Sequence, residues 1–445
     1  MKFAPLFRSA ALVTAVALLP ATTAGFAEVE GNASPQFQKL FLIYDEIKKN
    51  YVDPVDDDTL IHGAIDGMLA ALDPHSAYLD GESLERLQTL IDGNYEGLGL
   101  SVTMQDGAVK VIAPMKGSPA EKAGVKAGDF ITHLDGKLIY GLSLDDAVAQ
   151  MRGPAGSKLR LSIFRPGRPD AFDLTVTRGL IELQPVTFAL RDGGIGVISV
   201  NEFSKDTGKD VFNAYETMRK QDHGKLNGLV LDLRQNPGGS LGEAVILSDL
   251  FLDHGTIVSQ RGRQKSDNVT FKAETVYPGD VAKGVPMIVL INAGTASASE
   301  IVAGALQDQE RALIMGERSF GKGSVQTFMP LTQDSALKLT TARYYTPSGR
   351  SVQEGGIEPD IKVPQLSDPD EAKRLKYAVR ESDLRKHLIN EVDLNERQLE
   401  KDNIEDPRFS ETPEELKKEG IKDFQLHYAL ETLRRTSGTA LARNK

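Results

Sequence analysis

Apolar residues recur at helical spacing in two segments near the start of the chain. The first set comprises Phe37, Leu40, Phe41, Tyr44 and Ile47, and the second comprises Leu60, Ala64, Met68 and Leu72. Residues three or four positions apart share one face of a helix, so both segments are predicted to be amphipathic helices, ended at Asp73-Pro74. Their apolar faces either pack against the rest of the protein or form a dimer interface, and the pattern leaves both interpretations open.

The middle of the chain changes from glycine-rich strands to longer apolar strands. Between Tyr95 and about Thr177 the pattern predicts short strands joined by glycine turns, with two short helices. From residue 188 to residue 366, apolar strands alternate with helical stretches, which is typical of an α/β core. The clearest predicted strands of this core are 195–200, 228–233, 287–291 and 312–315.

The last segment, residues 367–445, is strongly charged but keeps an apolar stripe at helical spacing. The stripe comprises Leu416, Phe424, Tyr428, Leu430 and Leu433. An apolar stripe at helical spacing is typical of a helix that buries one face, so we predict a helix that docks on the rest of the protein.

Residues 1–27 have the layout of a secretory signal. Lys2 and Arg8 precede an apolar run, and Pro20 separates this run from small residues that include Gly25 and Ala27. The run has about 10 residues, far fewer than the roughly 20 that a membrane-spanning helix needs. We therefore expect cleavage after Ala27, no transmembrane span and, because the signal is bacterial in type, a periplasmic protein.

Composition limits the classes of function. A length of 445 residues corresponds to about three domains at roughly 150 residues each. The 52 basic and 63 acidic residues give a net charge of −11, which argues against nucleic-acid binding through overall charge. The absence of cysteine excludes disulfides, zinc–thiolate sites, a cysteine nucleophile and a cysteine-linked lipid anchor. The seven histidines form no metal-binding motif, so we expect neither a metal nor a cofactor.

A glycine-rich turn, Gly97-Leu98-Gly99-Leu100, leads into an alternating strand at residues 101–104. Glycines allow successive backbone N–H groups to converge on a carboxylate, and the adjacent strand edge can pair with an extended peptide. The runs 117–124 and 128–136, a helix at 143–151 and a strand at 159–164 follow. In this order the segments resemble a PDZ domain, which implies capture of a peptide C-terminus. The alternative is a purely structural β-domain.

Ser297 lies in a run of small residues between an apolar strand and a helix. The run Gly294-Thr295-Ala296-Ser297-Ala298-Ser299-Glu300 follows strand residues 286–292 and precedes the helical residues 301–306. A serine at such a turn can expose its hydroxyl, with the next backbone N–H free at the helix N-terminus. The competing interpretation is an ordinary helix N-cap.

Lys322 lies between two glycines, 25 residues after Ser297. A lysine can act as a general base only when it is neutral, and burial can lower its pKa far enough. One alternative is a surface turn, and another is a phosphate-binding loop, because residues 316–322 fit the first seven positions of that pattern. Against the second alternative, Gly323 stands where a Ser or Thr should bind magnesium, and strand-like residues follow where a helix should begin.

Together these motifs resemble the carboxy-terminal processing peptidase family. They are residues 232–239, 294–300 and 321–326, with a fourth signature at 347–353 and 356–360, and the resemblance covers roughly residues 35–365. It implies an α/β fold, a crotonase/ClpP-like protease core, with an inserted β-rich PDZ domain and helical N- and C-terminal segments. The expected domains are a signal peptide at 1–27, an N-terminal helical segment at 28–90, a PDZ domain at 91–180, a serine protease core at 181–366 and a charged helical segment at 367–445.

The resemblance also implies a serine endopeptidase with a Ser–Lys dyad. By motif match, Ser297 is the nucleophile, Lys322 is the general base and Gln326 orients the lysine. The oxyanion hole would use the backbone N–H of Ala298 and that of either Gly238 or Gly239. Ser299 is the nearest rival nucleophile, and the 25-residue spacing to the lysine favours Ser297.

Further expectations concern substrates and partners. The turn at residues 97–100 would bind the free, apolar C-terminus of a protein substrate. Arg152, at the end of the PDZ helix, would gate the active site, although compensation of the helix dipole accounts for it equally well. Kinship with Gram-negative envelope enzymes implies a lipoprotein adaptor, and the terminal helical segments favour a homo-oligomer. A secreted PDZ scaffold with an inactive core is the rival class of function.

Overall fold

The computed structural model describes residues 34–443 apart from residues 82, 85–86, 89–92, 106, 116, 143, 183–184, 274–275, 278, 370–379 and 392–407. The chain divides into two compact units between Met68 and Leu69. The predicted signal peptide lies outside the described residues. Within the described ranges, no helix has the length and apolar character needed to cross a membrane.

The first unit contains the first predicted N-terminal helix and all but the last two residues of the second. Helix α1 spans Pro35–Asn50, and helix α2 begins at Asp57 and ends at Ala70. Pro35 occupies the first turn of α1, where a missing N–H costs nothing, and Asp57 and Asp58 lie at the positive end of α2. No residue of α1 is buried, and Phe37, Phe41 and Leu42 are each more than 60% exposed. The apolar residues of this helix thus remain exposed.

The second unit is built around a six-stranded sheet. Its strands are β10 (Val186–Arg191), β11 (Ile195–Val200), β12 (Gly228–Asp232), β15 (Met287–Ile291), β16 (Leu313–Gly316) and β19 (Ile361–Lys362), in that spatial order. The β10–β11 pair is antiparallel and the other pairs are parallel. The central strands are almost entirely apolar because a parallel sheet is covered on both faces.

Alternate residues of the central strands enter two different cores. Leu229 and Leu231 of β12 belong to the core beneath α5 (Thr207–Gln221), α6 (Leu241–Leu250) and α7 (Ala298–Asp308). Val230, between them, belongs to the core on the other face, together with Leu416 of α8 (Pro413–Lys418) and Phe424 and Leu433 of α9 (Phe424–Arg443). The C-terminal segment is thus docked on the sheet, as predicted, although the stripe is divided between two helices.

A second sheet extends the protease core. Strand β18 (Ser335–Tyr345) pairs with β17 (Ser324–Pro330) along one edge, and along the other with β1 (Ala77–Asp80) and β13 (Thr256–Gly262). Strand β14 (Val269–Lys272) adds to β13. Because β1 precedes the predicted PDZ segment and β18 follows it, that segment is an insertion within the core.

The inserted segment forms an antiparallel sheet with two short helices. Its strands follow the order β3 (Leu100–Gln105), β4 (Ala108–Pro114), β5 (Phe130–Leu134), β7 (Lys158–Phe164) and β8 (Phe172–Thr177), and β6 (Lys137–Leu138) pairs with β5. The helices are α3 (Pro119–Ala123) and α4 (Leu144–Met151). Strands β2 (Asn94–Gly97) and β9 (Gly179–Glu182) pair at its base. A separate cluster of buried apolar residues fills this module.

The predicted strands agree closely with the observed ones. The expectations for 195–200 and 287–291 are correct at both ends. Strand β12 ends one residue earlier than predicted, and β16 is shifted by one residue. Runs of apolar residues define these strands well because each run is buried along its whole length.

Candidate active site

Ser297 occupies a strained turn between β15 and α7. Its φ of 55° lies in the left-handed region that non-glycine residues rarely adopt. The turn is held by Thr295, whose hydroxyl donates to the carbonyl of Leu233 at 2.8 Å and accepts from the N–H of Asn292 at 3.0 Å. Ser297 is the residue before the helix, as the N-cap interpretation also requires, and only the surrounding contacts distinguish the two interpretations.

The glycine loop after β12 packs directly against this turn. A Cβ on Gly238, whose φ is 100°, would lie 2.8 Å from Ser297 Cβ and 3.0 Å from the backbone nitrogen of Ala298, so the close approach requires glycine. The N–H of Gly238 donates to Asn236 Oδ1 at 2.9 Å. Among the described residues, no hydrogen bond engages the N–H groups of Gly239 and Ala298. Of the two predicted glycines, Gly239 therefore has the free donor.

Lys322 lies in a tight loop that its flanking glycines permit. A Cβ on Gly321 would lie 2.7 Å from the carbonyl oxygen of Glu354, and one on Gly323 would lie 2.4 Å from the nitrogen of Gln353. The loop therefore packs against the backbone of residues 353–354. Strand β17 begins directly afterwards at Ser324.

Two buried side chains hold the backbones of Ser297 and Lys322 together. Glu300 Oε2 accepts from the N–H of Ser297 at 2.8 Å and from that of Lys322 at 2.9 Å. Glu300 Oε1 accepts from Ser319 Oγ at 2.6 Å and from the N–H of Gly321 at 2.7 Å. The Tyr344 hydroxyl is shared between the carbonyls of Ser297 and Lys322. The structure thus brings together the serine and the lysine that the sequence singles out.

Burial sets the protonation of this site. It lowers the pKa of Lys322 to about 8, with a further contribution from the positive charge of Lys338, while Glu381, Glu300 and Asp73 act in the opposite direction. Burial also raises the pKa of Glu300 to about 7, although its four hydrogen bonds oppose the increase. A lysine with a pKa near 8 is partly neutral at pH 7–8, as a general base must be.

Gln326 is in direct contact with the lysine. Lys322 Nζ donates to Gln326 Oε1 at 2.6 Å. The amide nitrogen of Gln326 donates to Ser324 Oγ at 3.0 Å and to Thr340 Oγ1 at 3.3 Å. Gln326 therefore bridges the lysine and strand β18.

The structure excludes two sequence-level rivals. Ser299 is fully buried, and its hydroxyl donates to the carbonyl of Asn236 at 3.0 Å, so it faces away from any substrate. In the suggested phosphate loop, the N–H groups of Gly321 and Lys322 donate to Glu300, and that of Gly323 donates to Gln353 Oε1. Donors already held by a carboxylate and an amide cannot cradle a phosphate.

The strand that leads to the glycine loop is fixed by a buried arginine. Arg234 forms a two-point contact with Asp232 at 2.7 and 2.9 Å and another with Asp423 at 2.7 and 2.9 Å. These contacts keep the pKa of the Arg234 guanidinium well above its usual value despite burial. Asp423 directly precedes α9, so the C-terminal segment supports the glycine loop.

The inserted module presents the predicted peptide-binding turn beside an edge strand. The carbonyls of Leu98 and Gly99 accept hydrogen bonds from Ala120 and Met115, which fixes the turn. Gly99 has a φ of 73°, and a Cβ there would lie 2.5 Å from Ser118 Cβ. Strand β3, which begins at Leu100, is at the edge of its sheet and is therefore available to a peptide strand.

Arg152 lies next to this turn. Its guanidinium is 5.3 Å from the centre of the Tyr95 ring, and its Cα is 3.9 Å from where a Cβ on Gly97 would be. It directly follows α4, so the interpretation as helix-dipole compensation also remains open.

Sequence patterns missed several residues of this site. Glu300 and Tyr344 each contact the backbones of both Ser297 and Lys322. Thr340 and Asp73 lie behind Gln326, and Asp423 binds Arg234. Only Glu300, which stands in the serine motif, carried a local signal. In the described part of the chain, no group of His, Asp and Glu side chains is placed to hold a metal ion.

Three protein-family profiles match the chain. The profile described as peptidase family S41 matches residues 194–363, and that of a PDZ domain matches residues 110–165. The profile of the N-terminal domain of the activating protease CtpB matches residues 18–83. The fold predicted from the sequence, an α/β protease core with an inserted PDZ domain and helical terminal segments, is confirmed.

Curated relatives resemble most of the chain. A carboxy-terminal-processing protease of Bartonella bacilliformis is 46% identical over 360 residues, covering 81% of this chain and 82% of the relative. The carboxy-terminal processing protease CtpA of Bacillus subtilis is 38% identical over 329 residues, covering 74% of this chain and 69% of the relative. Among solved structures, a photosystem II D1 C-terminal processing protease is 31% identical, covering 77% of this chain and 98% of that one, with a TM-score of 0.45.

Proposed function

Because this chain belongs to the carboxy-terminal processing proteases of peptidase family S41, and so hydrolyses peptide bonds, we propose that it does so with a Ser297–Lys322 dyad. The observation that carries the proposal is that two side chains, Glu300 and Tyr344, each contact the backbones of both residues. One carboxylate and one tyrosine hydroxyl hold both backbones, and burial gives the lysine a pKa of about 8.

The proposed first step forms an acyl-enzyme. Neutral Lys322 takes the proton of the Ser297 hydroxyl as its oxygen attacks the carbonyl carbon of the scissile bond. The resulting oxyanion accepts hydrogen bonds from the free N–H groups of Gly239 and Ala298. When the C–N bond breaks, the Lys322 ammonium gives its proton to the leaving amine.

The second step releases the acyl group. Lys322, neutral again, takes a proton from a water molecule that attacks the ester carbonyl. The same two N–H groups stabilise the second oxyanion, and the proton then returns to the oxygen of Ser297. Gln326 Oε1 holds the lysine amine in place during both steps.

Substrate selection is assigned to the PDZ domain. The turn at residues 97–100 would bind the terminal carboxylate, and the free edge of β3 would pair with the residues before it. An apolar substrate C-terminus suits the neighbouring residues Leu98 and Leu100. Arg152, stacked on Tyr95 beside the turn, is proposed to report peptide binding to the active site, and full turnover by Arg152→Ala would remove that role.

Cellular context is proposed from the sequence. The secretory signal places the mature enzyme in the periplasm, where its substrates are envelope proteins and a lipoprotein adaptor delivers them. The open apolar face of α1 favours a homo-oligomer, because Phe37, Phe41 and Leu42 are exposed. Light scattering of the mature chain should show an assembly, and a monomer at all concentrations would contradict it.

The deciding experiment compares the mature chain with Ser297→Ala and Lys322→Ala. The substrate is an unfolded protein with an apolar C-terminus, and a matched sample of it carries a C-terminal amide. We expect cleavage by the wild type and none by either variant, with slower cleavage of the amidated substrate. Unchanged cleavage by both variants would overturn the dyad. If no sample is active, capture of envelope proteins by Ser297→Ala separates an adaptor-dependent enzyme from a scaffold.

A further inference from the structure

A chain of side-chain hydrogen bonds continues beyond Gln326 to a residue far away in sequence. Thr340, opposite Gln326 across the β17–β18 pair, donates its hydroxyl to Asp73 Oδ1 at 3.1 Å. Asp73 Oδ1 also accepts from the N–H groups of His75 and Ser76, and Oδ2 accepts from Ser76 Oγ. Asp73 is only 4% exposed. A buried carboxylate with this many donors is held rigidly.

The carboxylate at the end of this series of hydrogen bonds fixes the direction of the others. An ionised carboxylate can only accept, so the single O–H of Thr340 is committed to Asp73. The hydroxyl oxygen of Thr340 is then free only to accept, and the group that reaches it is the amide nitrogen of Gln326. The second N–H of that amide donates to Ser324 Oγ. Both donors of Gln326 therefore point away from Lys322, and its carbonyl oxygen faces the amine.

The orientation of this amide matters for a lysine base. A neutral amine has two N–H donors and one lone pair, and only the lone pair can accept the serine proton. Gln326 Oε1 accepts one N–H and leaves the lone pair for Ser297. A flipped amide would present its NH2 group to the amine and occupy the lone pair.

We propose that Asp73 and Thr340 are positioning residues that keep the Gln326 amide turned with its oxygen towards Lys322. Asp73 lies in the Asp73–Ser76 turn, outside the part of the chain that matches the S41 profile. This turn also contacts β18 through Ser76, whose Oγ accepts from the N–H of Thr340 at 3.2 Å. The contact fills the gap on β18 between its pairings with β1 and β13. A segment that precedes the PDZ domain in sequence thus orients a catalytic base that follows the domain.

Thr340→Val tests this role because valine keeps the shape of threonine and lacks the hydroxyl. We expect kcat to fall about 10- to 100-fold with little change in KM, because the base is misoriented and substrate binding is not. Thr340→Ser restores the hydroxyl and should return kcat to within about threefold. Thr341→Val is the matched control, since the Thr341 hydroxyl is hydrogen-bonded to that of the exposed Thr327, and it should leave kcat unchanged.

Asp73→Asn adds a second measurement, the pH dependence of kcat, which would not change if Asp73 had a purely structural role. Removal of the carboxylate lowers the pKa of Lys322, so the rising limb of the pH–kcat profile should move to lower pH. The asparagine amide can turn its NH2 group towards Thr340, where a carboxylate could only accept, so the direction of the Thr340 hydrogen bond is no longer fixed and the plateau should also fall about tenfold. A shifted limb with a full plateau would show that Asp73 acts through its charge alone, which would overturn its positioning role.

The inference rests on the proposed dyad, and the two can fail separately. Cleavage by Lys322→Ala would overturn the dyad. If Lys322→Ala is inactive and Thr340→Val is fully active, the dyad stands and the positioning role of Thr340 is overturned. Equal loss of kcat in Thr340→Val and Thr340→Ser would also contradict it, because the hydroxyl would then not be the group that matters.

Discussion

The backbone N–H groups of Ser297 and Lys322 donate to the same atom, Oε2 of Glu300, at 2.8 and 2.9 Å. One fully buried carboxylate therefore sets the distance between the turn that carries the proposed nucleophile and the loop that carries the proposed base. A base that must stay within reach of a hydroxyl needs such a fixed connection, because small displacements of catalytic groups are costly.

Replacement of this carboxylate should disable the enzyme. In Glu300→Gln, one of the two acceptor oxygens becomes an NH2 group that faces N–H donors, so two of the four hydrogen bonds are lost. We expect kcat to fall at least about 100-fold and the melting temperature to fall as well, since buried donors lose their partners. Glu310→Gln, at an exposed position two residues after the end of α7, is the control. Wild-type activity in Glu300→Gln would show that the shared acceptor is dispensable.

The activity should rise with pH through the titration of Lys322. Its pKa is about 8, and the base is the neutral form, so kcat should increase from pH 7 to pH 9 and then level off. Lys338→Gln removes a positive charge that lowers this pKa and should move the rising limb to higher pH. The measurement is kcat against pH, with the exposed Lys225→Gln as control. A limb that stays in place, or moves down, would contradict the electrostatic role of Lys338.

The buried lysine should lower the stability of the protein at neutral pH. Its pKa falls from 10.5 in the unfolded chain to about 8, so the unfolded state binds more protons than the folded state between pH 8 and pH 10.5. Below pH 8 the folded state carries the full cost, roughly 3 kcal/mol, and the cost disappears as the pH rises from 8 to 10.5. Lys322→Met should therefore raise the melting temperature at pH 7 and have a smaller effect at pH 10.

This stability prediction has a matched control in Lys225→Met, because Lys225 is exposed. The control should leave the melting temperature unchanged at both pH values. A destabilised Lys322→Met at pH 7 would mean that the ammonium has stabilising partners which outweigh its burial.

The C-terminal segment should contribute to catalysis as well as to folding. Asp423→Asn replaces one of the two carboxylates that bind Arg234 with a neutral amide, so the largely buried guanidinium keeps Asp232 and the amide oxygen of Gln425 but loses the charge of its second ion pair. We expect a loss of about 1–3 kcal/mol in stability, since Asp423 is partly exposed, and a several-fold fall in kcat as the glycine loop loosens. Glu419→Gln, on the exposed end of α8, is the control for charge. Unfolding midpoints and kcat report the two effects, and a variant unchanged in both would show that Asp232 suffices.

The sequence by itself determined the local elements and the candidate reacting groups. Apolar runs predicted β11 and β15 correctly because both faces of these strands are buried. The small-residue run around Ser297 and the glycines beside Lys322 identified the turn and the loop, since close backbone approach leaves a local mark in the sequence. The same motifs predicted the family and the inserted PDZ domain.

Tertiary structure alone decided how these groups work together. Asp73 reaches Thr340 across 267 positions and Asp423 reaches Arg234 across 189, and no local pattern predicts a hydrogen bond over such a separation. Which of Gly238 and Gly239 has a free N–H for the proposed oxyanion hole depends on which of the two already donates to Asn236. An aspartate or threonine looks the same in sequence whether it is solvated or orients a base, because its role depends on its partners, and the fold supplies them.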